Sequence, residues 1–277
     1  MWVDAHQHFW RLARNDYGWL NPDDHPAIYR DFAPADLEPL LRSAGVERTI
    51  LVQAAPTLAE TDFLLELAAA TPFVAGVVGW VALDGLNAGQ EIESRAKNPA
   101  FRGLRPMLQD LDDDAWILGP AVAPALDAIV AAGLTFDALV KPRHLPHITK
   151  LLERRPTLRL VVDHAAKPSI ASGDLRGWRE GIVAIGRQTS AFCKLSGLVS
   201  EAGPGWRVED LRPFTDVLLD AFGPARLMWG SDWPVVNEAG GYAAWRSAAE
   251  ALVEGCSPAD RDLIFGGTAE RFYGIEA

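Results

Sequence analysis

The sequence predicts an α/β fold in which eight parallel strands alternate with helices and close into a (β/α)8 TIM barrel. Three observations point there. Short apolar, β-branched runs recur eight times along the chain. Helix-like stretches fill most of the gaps, and parallel strands need crossovers of about that length. The chain has 277 residues, 49% of them hydrophobic, a size ordinary for one barrel and able to fill a large core without staples.

The first predicted strand covers 2–9 (WVDAHQHF). An irregular insert at 10–30 follows, rich in aromatic residues, Asp, Asn and Pro. Loops of that length at a barrel mouth shape or cover a site. A helix at 35–44 stops before Gly45, whose backbone freedom suits a helix C-terminus. Strand 48–55 (RTILVQAA) leads to helix 57–70, strand 74–83 (VAGVVGWVAL) to helix 85–98, and strand 101–108 (FRGLRPML) to helix 121–132. Strand 134–141 (LTFDALVK) leads to helix 143–154. Strands 158–165 (LRLVVDHA), 190–197 (SAFCKLSG) and 226–233 (RLMWGSDW) complete the set, with a helix at 207–222 and a closing helix at 260–274 that contains a Gly pair. No low-complexity tract or Ser/Gly-rich linker divides the chain, which reads as one domain over 1–277. An open doubly wound sheet is the alternative, but no GxGxxG or P-loop follows the first strand.

Lys plus Arg number 26 and Asp plus Glu 37, a net charge of −11. Phosphate groups are repelled by that balance, so neither nucleic acid nor a membrane surface is expected as a partner. Two cysteines, Cys193 and Cys256, form no CxxC and no disulfide framework. The first residues show no basic segment followed by an apolar one, and no apolar run approaches the ~20 residues of a membrane span. The reading is a cytoplasmic monomer or homodimer.

Chemistry in a barrel sits at the C-terminal ends of the strands. Polar residues that end apolar strands are therefore the candidates. His6 and His8 lie two apart, on one face of the first strand and about 7 Å apart along it, and can share a metal ion. Packed histidines are the alternative. His164 ends a buried run and needs a partner there; a satisfied core histidine would also fit. Asp232 is placed to ligate a metal or act as a base, or to cap the next helix. Arg105 could clamp a carboxylate or polarise a carbonyl oxygen. Gln53, Trp80, Asp137, Lys141, Lys194 and Ser196 are further strand-end groups. Trp10, Tyr17 and Trp19 lie in the insert, where aromatic faces stack on sugar rings or simply pack. His25 is a candidate lid residue. His144 and His147 read as helix-face residues, and Cys193 as a small core hydrophobe. No GxSxG occurs, so a serine nucleophile has no support.

Four segments taken together, VDAHQHFW, GLRP, VVDHAAKP and MWGSDWPV, resemble the amidohydrolase superfamily, in particular its sugar-acid lactonase branch. IFGGTAERFY resembles that family's closing helix, so the likeness runs over nearly the whole chain. The resemblance implies a metal-dependent-hydrolase barrel with His6, His8, His164 and Asp232 as candidate metal ligands. Arg105 stands where binuclear members carry a carboxylated lysine, and the fifth strand has no histidine. Both departures imply at most one divalent ion, zinc by its donor set, and members of this branch can work without a required metal. The implied reaction is the opening of a neutral, fuconolactone-like sugar lactone. Asp232 would activate water, while Arg105 and the histidines, His164 included, stabilise the oxyanion. Trp10, Gln53, Trp80, Asp137 and Lys141 are the expected substrate contacts. A metal-dependent decarboxylase of the same superfamily and a non-catalytic sugar-acid-binding barrel are the alternatives.

Overall fold

The computed structural model describes residues 1–275. All eight predicted strands form: β1 (Val3–Gln7), β2 (Arg48–Val52), β3 (Val74–Gly79), β4 (Phe101–Leu104), β5 (Thr135–Ala138), β6 (Arg159–Val162), β7 (Phe192–Leu195) and β8 (Leu227–Trp229). They lie parallel in sequence order in one sheet. The seam between β8 and β1 closes through the residues that follow β8. The Asp232 N–H donates to His6 O at 2.8 Å, and the His8 N–H to Trp233 O at 2.7 Å.

Side-chain alternation along each strand makes two apolar layers. Ile50 and Val52 face the barrel interior with Val3, Ala5, Val78, Val161 and Met228. Leu51 faces outward, with Val77, Leu104, Phe136 and Leu195, onto the helices. Those helices are α1 (Pro34–Ala44), α2 (Leu58–Ala70), α3 (Ala88–Arg95), α4 (Ala123–Ala131), α5 (Leu145–Arg154), α6 (Trp178–Gln188), the short α7 (Leu198–Ala202), α8 (Val208–Phe222) and α9 (Tyr242–Leu252). The closing helix is broken into α10 (Pro258–Asp262), a π turn (Leu263–Gly267) and α11 (Thr268–Tyr273). Phe272 and Tyr273 of α11 join the interior layer and plug the barrel floor. The glycine pair belongs to the π turn because the chain start passes against it: a Cβ on Gly266 would fall 2.0 Å from Met1 O.

Three helices, α6, the short α7 and α9, go beyond the sequence reading. Trp178, Ile182 and Ile185 bury one face of α6, but Gly and Arg between them dilute the apolar stripe. The strands are also shorter than predicted, because the chain leaves the sheet where the polar residues begin.

The 10–30 insert is a folded strap. Trp10 and Phe32 pair backbone to backbone, at 3.1 and 3.0 Å, and pin its two ends. Trp10 is correspondingly a structural anchor: it is fully buried among Tyr17, Trp19 and Phe32, with Nε1 donating to Arg30 O at 2.8 Å. Trp19 reaches back across the barrel, its Nε1 donating to Ala54 O at 2.8 Å. No helix among the described residues is long and apolar enough to cross a membrane.

Candidate active site

The strand-end histidines converge. A register shift in β1 between Asp4 and Gln7 re-aims the chain there, and the His6 and His8 Nε2 atoms come to 3.2 Å from each other. His8 Nδ1 lies 2.8 Å from Val52 O, so it carries the proton and leaves Nε2 as a lone pair. Asp232 Oδ1 lies 3.3 Å from that Nε2, 3.7 Å from His6 Nε2 and 3.9 Å from His164 Nε2. The carboxylate is thus ringed by three imidazoles, and it does not cap a helix.

Asp232 and His164 both stand on left-handed backbone, at φ 58° and 50°. His164 begins a run of four such residues through Lys167, none of them glycine. One left-handed residue is ordinary and four in a row are costly. This turn carries the chain sharply off β6, so that His164 and Lys167 both line the cavity. His164 Nδ1 is 2.9 Å from Ser196 Oγ. Gly197, at φ 67°, lies beneath the ring, and a Cβ there would meet His164 Nδ1 at 2.7 Å.

Under the histidines lies a buried ionic network. Lys194 on β7 is fully buried and contacts Asp137 Oδ2 at 2.6 Å, Asp163 Oδ1 at 2.9 Å and His6 Nδ1 at 3.0 Å. Tyr273 donates to Asp137 Oδ2 at 2.6 Å. Asp137 therefore belongs to this buried network, away from the residues around the cavity. Burial raises its pKa against the pull of Lys194, whereas the ammonium and His6 overcome burial at Asp163 and hold it well below the usual carboxylate range. Arg105 completes the network, with Nη1 3.4 Å from His6 Nε2 and 3.5 Å from Asp163 Oδ2.

The remaining candidates divide. Gln53 is buried and braces Arg105: its Nε2 donates to Arg105 O at 2.7 Å and its backbone carbonyl accepts from Arg105 Nη2. Lys141 opens the turn into α5, its N–H donating to His144 Nδ1 at 3.0 Å, and it is not among the residues around the cavity. Trp80 lines a neighbouring cavity. The site cavity itself holds about 350 Å3 and opens over His8, Arg105, His164 and Asp232. Trp19 and His25 of the strap border it, and His25 Nδ1 is tied to Glu238 Oε1 at 3.0 Å. Met107, Gln109 and Lys167 border it too. Sequence reasoning passed over these three, although Lys167 lies inside the VVDHAAKP segment.

Burial drives all three imidazoles toward neutrality. It lowers His8, lowers His6 further with help from Lys194, and pushes His164 down to about 4 against the opposing charge of Asp232. At Asp232 burial works to raise the pKa, but in the acid range where it titrates, the charge on a protonated His164 and a hydrogen bond from a protonated His8 outweigh burial and hold it below the usual carboxylate range. The site at neutral pH is one carboxylate among neutral imidazoles.

An amidohydrolase family model matches residues 3–275. This chain belongs to the amidohydrolase family. Over 99% of its length it is 49% identical to a Burkholderia ambifaria protein named L-fucono-1,5-lactonase, of which the match spans 96%. A Burkholderia multivorans protein of the same name is 39% identical over 99% of this chain and 96% of its own length. A Burkholderia multivorans amidohydrolase, solved as a crystal structure with bound zinc, superposes with a TM-score of 0.93 at 37% identity over 100% of both chains.

The donor set fits a divalent metal ion. His6, His8 and Asp232 offer ligand atoms within 4.8 Å of one another. The lone pair of His8 Nε2 faces a carboxylate oxygen, acceptor against acceptor, an arrangement relieved by a shared proton or a cation. His6 sets a condition. Its Nδ1 accepts from Lys194, which leaves the proton on Nε2, and that proton has to leave before Nε2 can ligate.

Proposed function

We propose that this amidohydrolase opens the ring of a sugar-acid lactone, a neutral δ-lactone resembling L-fucono-1,5-lactone, with Asp232 as the base. The observation that carries this reading is the Asp232 carboxylate ringed by three buried histidines at the base of a cavity, in a chain 49% identical to an L-fucono-1,5-lactonase. Asp232 takes a proton from water, and the water oxygen attacks the ring carbonyl carbon. The oxyanion that forms is stabilised by the Arg105 guanidinium and the His6 Nε2–H, with Lys167 on the cavity wall adding positive charge. Collapse breaks the ring C–O bond, and the proton on Asp232 passes to the leaving alkoxide. A carboxylate this acidic is a weak base, but a lactone is an activated ester and asks little of it. His164, fixed by Ser196, holds the Asp232 carboxylate in place and contributes a polar wall to the intermediate.

A single zinc ion bound by His6, His8 and Asp232, with His164 alongside, would supply Lewis-acid polarisation of the carbonyl oxygen. Ring opening does not depend on it, since the residues around it already provide base and donors. The protein acts on a small soluble substrate in the cytoplasm, as a monomer or homodimer and without a nucleic-acid partner.

The test is a pH-indicator screen of aldonolactones, run with and without chelator. L-Fucono-1,5-lactone and its stereochemical neighbours should be opened, and chelation should leave turnover measurable. Failure on every aldonolactone, or release of carbon dioxide from an aromatic acid instead, would sink the reading.

A further inference from the structure

A second cavity of about 500 Å3 adjoins the catalytic cavity of about 350 Å3 and exceeds it in size. Trp19, Met107 and Asp110 line both. The divide is the short stretch that follows β4: Arg105 faces the catalytic cavity, Pro106 the second, and Met107 both. A monosaccharide lactone is small enough for the catalytic cavity alone, which is already of ordinary ligand-site size. The second cavity therefore has no evident occupant in the reaction of the first.

The chemistry of its walls narrows the choice. Trp19, Trp80 and Trp116 stand around it with Val81, Leu83 and Leu111. No Lys, Arg or His lines it, and its three acidic residues, Asp16, Asp84 and Asp110, repel an anion. Asp16 is already engaged by Arg14 at 2.8 Å and by Thr57 at 3.1 Å. Asp84 and Asp110 are exposed, so they face water more than an occupant. A hydroxyl-rich second sugar ring would find few partners here and would lose its own hydration. A hydrocarbon group would lose nothing and would release water from tryptophan and leucine surfaces. Met107 at the divide is flexible enough to let a chain pass.

We propose that this cavity receives an apolar substituent carried on the lactone ring, so that the protein also opens lactones with an alkyl or aryl side chain. The inference rests on the lactonase reading of the catalytic site. The chemistry is unchanged: water adds across the ring ester, the acyl C–O bond breaks, and a hydroxy acid leaves with its side chain intact.

The experiment is a series of δ-lactones whose alkyl side chain grows from methyl (δ-hexalactone) to pentyl (δ-decalactone), alongside a monosaccharide lactone as reference. In the parent protein kcat/KM should rise about fourfold per added methylene, the factor that corresponds to ~0.8 kcal/mol of transfer free energy per buried CH2. Trp116→Ala and Leu111→Asp lie outside the catalytic cavity. Both should flatten the series while leaving the reference lactone within about twofold, the usual scatter for a change remote from the chemistry. A flat series in the parent overturns the proposal. So does a rising series that persists in both variants, because the chain would then lie elsewhere. Melting curves show whether each variant is folded, and the parent series decides the matter if one is not. If the reference lactone is not opened either, the fault lies with the reading of the catalytic site and not with the second cavity.

Discussion

Asp232 is the residue on which the proposed chemistry turns. Its Oδ1 faces three imidazole nitrogens within 3.9 Å, and every one of them is buried and neutral. Asp232→Asn keeps the shape and removes the base, so kcat/KM on the best lactone should fall by about two to four orders of magnitude. The melting temperature should hold, and retained activity in a folded Asp232→Asn protein would refute the role. Arg105→Met removes one oxyanion donor, and a loss of roughly 10^2 to 10^3 in kcat is expected. If only KM rose, Arg105 would be binding the ground state. These residues were legible in the sequence because strand parity and strand ends are local properties: His6 and His8 had to share a face, and Asp232 had to stand at the barrel mouth. The pairing of Asp137 was not legible, for the complementary reason. Its partners Lys194 and Tyr273 come from β7 and α11, and no local pattern announces a pairing across a barrel.

At the scale of elements, the turns matter more than the strands they end. The left-handed run from His164 to Lys167 turns off β6 so tightly that Gly197 must lie under the imidazole. Gly197→Ala should therefore act on the site and the fold together. The new methyl group would displace His164, and an alanine at φ 67° is strained besides. Lower kcat together with a lower melting temperature is expected, and an unchanged kcat would show that His164 has no part in the chemistry. Glu60, near the start of α2, holds the loop that follows β2. Its carboxylate accepts from Ala54 N at 3.0 Å and from Ala55 N at 2.7 Å. Burial nonetheless pushes its pKa up to about 8 from an ordinary 4.5. Between those values the folded state binds more protons than the unfolded state, so stability falls as pH rises through that window. Glu60→Gln mimics the neutral acid, and its melting temperature relative to the parent should climb between pH 5 and pH 8. A constant difference across that range would rule out a buried, protonated Glu60. The order of these elements could be read from hydrophobic runs, but the turns could not. A non-glycine residue in left-handed backbone is held there by tertiary contacts, which the sequence window does not contain.

Across the whole molecule, the barrel interior is organised in three levels: an apolar floor closed by α11, the ionic network above it, and the histidines and Asp232 at the mouth. The middle level joins five segments. Lys194 comes from β7, Asp137 from β5, Asp163 from the end of β6, Arg105 from the end of β4, and Tyr273 from α11. Two cations face two carboxylates, so the set is neutral, and Lys194 spends its three donors on Asp137, Asp163 and His6. Such a network costs little while complete and a great deal when one member is missing, because an unpaired charge is left without water. Lys194→Met should destabilise by about 3–5 kcal/mol, which for a domain of this size lowers the melting temperature by roughly 10 °C. Lys194→Met combined with Asp137→Leu removes one charge of each sign, and Asp163 keeps Arg105 at 3.5 Å. The double variant should therefore recover much of the lost stability. Its activity should stay low, because His6 has lost the donor that fixes its proton on Nε2. Recovery of both stability and turnover would mean that Lys194 serves the fold alone. Recovery of neither would mean that the loss came from packing around the long side chain and not from charge. Recovery of stability without turnover is the outcome that identifies the ionic level as what sets the hydrogen-bonding state of the histidines above it.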